Sequence, residues 1–455
     1  MSNPSERQPW EPDWFGPDNI DTVVVAFPDM YGRLMGKRLT RDHFLRTAAE
    51  SGMDACNYLL TVDIEMNPLP GFKLASWDQG YGDFHATVDL NTLRPVPWQE
   101  GTAIVLCDLV HERGGPVEEA PRRVLARQLE RLAERNQSAY MGSELECYLF
   151  NESYPGAAEK AYRDLAQASD YLIDYHVLQP GRDEEVLRHI RNAMSAAGVE
   201  VEGTKGEWGK GQHEINLLYA EAMEMADRHV LFKNGVKEIA GLHDRAITFM
   251  AKFDAEQAGN SFHLHSSLWD ADGKQNLFFT PGKDRPTDLF RHFLGGMMKY
   301  CRELTYFFAP TVNAYKRYQA ESWAPTSLVW AHDNRTVGFR VVGHGHGMRV
   351  ENRTPGADAN PYLAFAATLA AGLRGVDEQL DCGEAYTGNA YADPALPRLP
   401  KSLEEAADLL EASELARDAF GDDVIAFYVH TARAEADAFR NAVTDWERHR
   451  YFERL

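Results

Sequence analysis

The chain has 455 residues, 44% of them apolar and 25% charged, a globular balance that argues against a disordered or low-complexity protein. Lys plus Arg total 47 against 69 Asp plus Glu, and the formal net charge of −22 argues against a main role in binding nucleic acid or an anionic membrane surface. The five cysteines are odd in number and include no CxxC pair, so neither a disulfide framework nor a cysteine zinc site is expected.

The N-terminal stretch MSNPSERQPWEPDWFGPDN carries no apolar signal core, and no run of about 18 apolar residues reads as a membrane span. A reducing cytoplasm is the expected location. Residues 1–17, polar and rich in proline, read as a mobile tail. TVVVAFPDMYGRLMGKRL (22–39) reads as a hairpin turned at Pro-Asp and Tyr-Gly, followed by a short helix over 41–52 that stops at Gly52. Residues 63–101, rich in Gly, Pro, Asp and Trp, read as a long loop, and 102–110 as a buried strand.

HERGGPV (111–117) is the expected boundary between an N-terminal domain over 18–112 and a larger domain over 113–455. Beyond it the apolar period predicts helices over 118–135, 183–197, 220–245, 286–305 and 361–375, and mostly helix over 402–449. Between them lie short strands with unusual polar content: 141–150, 211–219, 260–269, 336–342 and 348–354. The class this implies is α+β.

Those polar strands carry the chemistry. In GSELECYLF, alternation puts Leu145, Cys147 and Leu149 on one face and Glu144 with Glu146 on the other. Neighbouring carboxylates repel, so the pair needs a cation or solvent, and a solvated edge explains it equally well. GEWGKGQHE supplies Glu207 and Glu214 around a glycine-rich turn. GNSFHLHSSLW places His263, His265 and Ser267 on one face, opposite Phe262, Leu264 and Leu268. In the stretch 334–356, Arg349, Glu351 and Arg353 share a face, with Arg335 and Arg340 upstream, and GHGHG reads as a turn. Carboxylates suit Mg²⁺ or Mn²⁺, and arginine forks suit phosphate and carboxylate. With no Walker loop and no kinase motif, the residues alone point to a metal-dependent phosphotransferase or ligase using ATP on a sheet surface.

Taken in order, DMYGRLMGKRL, GSELECYLF, GEWGKGQHE, GNSFHLHSSL, NAYKRY, DNRTVGFRV, MRVENRTPGADANPYL and LPKSLEEA resemble the glutamine synthetase superfamily over about residues 20–445. Any one segment is weak, but the ordered set is strong. The resemblance implies a small N-terminal β-grasp domain, a catalytic domain with a curved antiparallel sheet, and a homododecamer of two stacked hexameric rings whose sites are shared between neighbours. It implies two or more Mg²⁺ or Mn²⁺ ions per site, with ATP as a substrate. Glu146, Glu207 and Glu214 would hold one metal, and Glu144, His263 and Glu351 the metal on the ATP phosphates. His265 and Ser267 would contact the nucleotide, and Arg335, Arg340 and Arg349 the transferring phosphoryl group. Arg317 and Arg353 would clamp glutamate, with Gly259 contacting it through its backbone. The implied chemistry is phosphorylation of the glutamate γ-carboxylate, then attack of an amine on γ-glutamyl phosphate.

Two departures matter. Glutamine synthetases carry a glutamate just before the Ala-Pro of their flap, where it binds ammonium and takes its proton. Here the segment is ESWAP, and Trp323 stands in that place. Tryptophan carries no charge and is no base, but it can pack on an alkyl tail or hold an organic ammonium by cation–π attraction. The family's Asn-Gly before His-x-His becomes Ala258-Gly259. Asp63 and Tyr171 are looser matches to other ammonium-site residues. The expectation is therefore a ligase joining glutamate to a small organic amine, with ethanolamine and short alkylamines leading. An ordinary glutamine synthetase, a γ-glutamylpolyamine synthetase and a non-enzymatic scaffold are the alternatives. Tyr391, in GNAYADP, stands where some relatives are adenylylated, but the surrounding pattern is degraded and no such control is expected.

Overall fold

The computed structural model describes residues 8–282 and 285–455. The β-branched run forms β1 (Thr22–Pro28), which pairs antiparallel with β2 (Leu34–Thr40). Asp29 closes the turn between them, its Oδ1 accepting from the amides of Tyr31 at 2.9 Å and Arg33 at 2.8 Å. Strands β3 (Met53–Cys56), β4 (Asp83–Pro95) and β5 (Thr102–His111) complete a sheet of order β2-β1-β5-β4-β3, with β1 and β5 parallel.

Two expectations are corrected here. Residues 8–17 are no tail: Phe15 is fully buried, and Arg41 donates to its carbonyl at 2.8 Å and to Glu11 at 3.1 Å. The aromatic residues bury where the prolines suggested mobility; the first part of the expected tail, 1–7, lies outside the described residues. The expected loop over 63–101 contains β4, because Phe84 and Ala86 bury against the sheet despite their Gly- and Pro-rich flanks.

The second sheet contains β6 (Gln137–Phe150), β7 (Val201–Gly206), β8 (Gln212–Glu221), β9 (Ala246–Thr248), β10 (Phe262–Asp270), β11 (Trp330–His332), β12 (Phe339–Val342) and β13 (Arg349–Asn352). Its order is β11-β12-β13-β10-β6-β8-β7, with β9 on the end of β6. All pairs are antiparallel except β11 with β12. Leu145, Cys147 and Leu149 on β6 are buried in one continuous apolar core.

The helices Pro121–Ala133, Ala222–Leu242 and Pro361–Asp377 contribute to that core. The last of these crosses the helix Asp288–Tyr300 at backbone contact: a Cβ on Gly296 would sit 2.2 Å from the Ala371 carbonyl. The expected helix over 402–449 is broken into Leu403–Ala412, Glu414–Phe420, Asp422–Asn441 and Asp445–Tyr451, with Ser413, Gly421 and Thr444 as the N-caps of the last three.

Arg122 ties the first sheet to the long helix Ala222–Leu242. It bonds Asp108 at 2.7 Å and Asp89 at 3.0 Å on the first sheet, and Asp227 at 2.9 Å on the long helix, where Tyr362 also donates to Asp227 at 2.6 Å. Breaking such a buried pair from one side costs about 3–5 kcal/mol, because the remaining charge is stranded. Among the described residues, no helix is long and apolar enough to cross a membrane.

Candidate functional site

Strand register assembles the site. Antiparallel pairing sets Glu144 opposite His263, Glu146 opposite Glu214, His265 opposite Glu351, and Glu351 opposite Arg340. Residues far apart in the chain therefore form one polar row across five strands, on the face away from Leu145 and Leu149. Directly opposed side chains lie close enough to interact. The turn between β7 and β8 adds Glu207, whose amide donates to the Gln212 carbonyl at 2.9 Å.

Glu146, Glu207 and Glu214 bring one oxygen each within 4.8 Å of one another, and Glu144, Glu214 and His263 form a second such group. Burial, then the charge of Glu207, pushes the Glu146 carboxyl up. Burial, then Glu144 and Glu207, pushes Glu214 up to about 9. Lys205 offsets part of the charge by bridging Glu207 and Asp174. Burial also opposes ionisation of Glu144, but hydrogen bonds with His263 and His265 outweigh it and hold that carboxyl well below the usual range. Carboxylates crowded and buried in this way lack positive charge. A hard oxygen set with one imidazole fits a divalent cation of the Mg²⁺ or Mn²⁺ kind.

Glu351 differs from expectation. It is 1% exposed, and Arg340, at 2.9 Å, and Arg353 take its two oxygens. Burial works against its charge, but Arg353, His263 and His265 together outweigh it, and the carboxyl falls to about 2. Its oxygen lies 3.8 Å from His263 Nδ1, beside the second group.

Two cavities open on either side of Glu144 and share it with Asn216. The larger, of about 510 Å³, is lined by the first group, His263, Gly259, Arg335, Arg340, Arg353 and Trp323. The smaller, of about 340 Å³, is lined by His265, Ser267, Arg349 and the aromatic rings of Tyr140, Tyr219 and Trp269. His265 joins the two, with Nε2 2.8 Å from Glu144 and Nδ1 accepting from Arg349 at 3.1 Å. His346 of the GHGHG turn stacks near Trp269 at 6.4 Å.

Three sequence-derived positions lie off the larger cavity within this chain. Arg317 is 1% exposed and gives its guanidinium to the carbonyls of Arg353 at 2.8 Å, Pro355 at 2.9 Å and Thr354 at 3.1 Å. It supports the segment bearing Arg353 and does not line the cavity. Tyr171 also lies off the cavity, facing His176 at 5.8 Å, while Tyr175 lines the wall instead. Asp63 sits in a turn of the first sheet's connections, accepting from the Asn67 amide at 2.7 Å, and does not reach the cavity within the chain.

The flap is tied down. Trp323 has φ 64°, a backbone conformation that bulky residues rarely adopt and that marks functional segments. Arg353 donates to its carbonyl at 3.3 Å, and Tyr391 donates to the Ala324 carbonyl at 2.8 Å. Tyr391 is thus a clamp on the flap. Sequence reasoning missed Gln212, which donates to Gly259 O and Asn260 Oδ1, both at 2.9 Å, and fixes the glycine at the cavity wall. Lys205, Asp174 and Trp208 were also missed.

Residues 118–451 match the family model described as glutamine synthetase, catalytic domain. The chain is similar to a γ-glutamylethanolamide synthetase, GlnA4, from Streptomyces coelicolor, at 51% identity over 96% of this chain and 94% of that protein. It is similar to a glutamate–isopropylamine ligase from Pseudomonas sp., at 37% identity over 97% of each chain. Among solved structures it matches a GmaS/ADP complex with a TM-score of 0.82 and 30% identity, over 96% of this chain and 97% of that one. With matches of this extent, the chain belongs to the glutamine synthetase family.

Proposed function

We propose that the protein is an ATP-dependent ligase that joins the γ-carboxylate of glutamate to a small organic amine through γ-glutamyl phosphate. The observation that carries this reading is Trp323: an uncharged indole on an acid-lined cavity, where the family's ammonia users place a carboxylate. Relatives named for ethanolamide and isopropylamine products support it.

In this reading Glu146, Glu207 and Glu214 hold one Mg²⁺ or Mn²⁺, and Glu144 and His263, beside Glu351, hold another. Bound there, divalent ions would neutralise phosphate charge and orient the phosphoryl group. His265, Ser267 and Arg349 bind ATP in the smaller cavity. Arg353 and the backbone of Gly259 hold glutamate in the larger one. Arg335 and Arg340 offset the charge that spreads over the transferring phosphoryl group. The glutamate γ-oxygen attacks the γ-phosphorus and ADP leaves; the amine nitrogen then attacks the γ-carbon, phosphate leaves and a proton is released. Arg340 is fixed between Glu351 and Asp333, at 2.9 and 3.0 Å, so it is oriented before substrate arrives. The family's homododecamer and a cytoplasmic location accompany this reading.

The test is phosphate release with glutamate, ATP and Mg²⁺ against ammonia, methylamine, isopropylamine, ethanolamine, putrescine and spermine. One small organic amine should exceed ammonia in kcat/KM. Preference for ammonia makes the protein a glutamine synthetase with an unusual flap, preference for putrescine or spermine makes it a polyamine ligase, and silence with all of them removes the ligase reading.

A further inference from the structure

The cavity wall holds a second tryptophan that the flap comparison does not point to. Trp208 and Trp323 are each 45% exposed and meet edge to face with ring centroids 5.5 Å apart. Both line the larger cavity, yet they come from separate segments: Trp208 from the turn between β7 and β8, Trp323 from the flap. The turn is rigid at Trp208. Gly209, next in the chain, lies against Tyr148 so closely that a Cβ there would sit 2.0 Å from the phenol oxygen, and its amide donates to Gln212 Oε1 at 2.9 Å. The Trp208 amide donates to Glu207 at 3.1 Å. The backbone bearing one indole is therefore fixed beside a carboxylate, and the backbone bearing the other is tethered by Arg353 and Tyr391.

Resting on the ligase reading above, we propose that Trp208 and Trp323 form one aromatic wall that selects the amine by its tail. The amine nitrogen points into the acid-lined cavity, and a short alkyl or hydroxyalkyl tail lies on the indoles. Lys205, which bridges Glu207 and Asp174 with its Nζ 4.5 Å from the centre of the Tyr175 ring, lines the same cavity.

Indoles that merely hold two loops together would give the same contact, and tail dependence separates the two roles. kcat/KM is measured for ammonia, methylamine, ethanolamine, isopropylamine and putrescine in the full-length protein, its Trp208→Ala variant and its Trp208→Phe variant, with the KM of glutamate and ATP alongside. Trp208→Ala should lose activity in step with tail size, least for ammonia and about 10-fold or more for isopropylamine, mainly through amine KM. Trp208→Phe should recover most of that loss. A loss equal for every amine, with glutamate KM rising alongside, makes Trp208 a loop prop and overturns the inference. Normal amide formation with a Trp208→Ala profile matching that of unmutated protein overturns it while leaving the ligase reading intact. Unmutated protein that makes no amide from any amine overturns both.

Discussion

Glu146→Ala is expected to cut ATP-dependent phosphate release by roughly 10³-fold, on the scale seen when a group that stabilises transition-state charge is removed. The reason lies in the register. Glu146 faces Glu214 across the β6–β8 ladder, is 7% exposed and lines the larger cavity. One oxygen accepts from the Ser261 amide at 2.6 Å, which fixes its direction. Burial and Glu207 already raise its pKa, so the site is costly to hold charged without a cation. Function is the reason to keep it. The variant should accordingly fold at least as well as the parent without metal, and gain less thermal stability from added Mg²⁺. Steady-state phosphate release and thermal melts across a Mg²⁺ series check both halves. Turnover retained in Glu146→Ala sinks the assignment of this carboxylate to a metal.

Trp323→Glu is expected to move the protein toward ammonia. Loss of the indole removes a cation–π or packing contact worth about 0.5–2 kcal/mol, which corresponds to roughly 2- to 30-fold in amine kcat/KM. The new carboxylate would stand where the family's ammonia users bind ammonium. Both changes raise the ratio of ammonia to amine use. The tethers of the flap run through backbone carbonyls, from Arg353 to Trp323 and from Tyr391 to Ala324, so the substitution leaves them in place. An unchanged ratio would remove Trp323 from the specificity argument.

Much of this site was legible in the sequence, because a strand's period of two is independent of tertiary context. Alternation alone put Glu144 and Glu146 opposite Leu145 and Cys147, and His263 and His265 opposite Leu264. Register was not legible. Nothing local says that Glu146 meets Glu214, or that Glu351 is pinned between Arg340 and Arg353. Motif order assigned Arg317 to substrate, but a motif does not report burial, and the structure gives that guanidinium to backbone carbonyls. Strand β4 was hidden by its Gly- and Pro-rich flanks, and the packing of Phe15 by the prolines around it. Trp208 escaped because a tryptophan in a glycine turn gains meaning only from the Trp323 ring beside it.

The central claim is that the acceptor is an organic amine and not ammonia. The most direct measurement is a competition: the purified protein with glutamate, ATP and Mg²⁺, ammonium and an equal mixture of ethanolamine and isopropylamine, with products resolved by mass spectrometry. γ-Glutamylamides of the organic amines should exceed glutamine at equal concentrations of the competing nitrogen sources. Glutamine as the dominant product would contradict it.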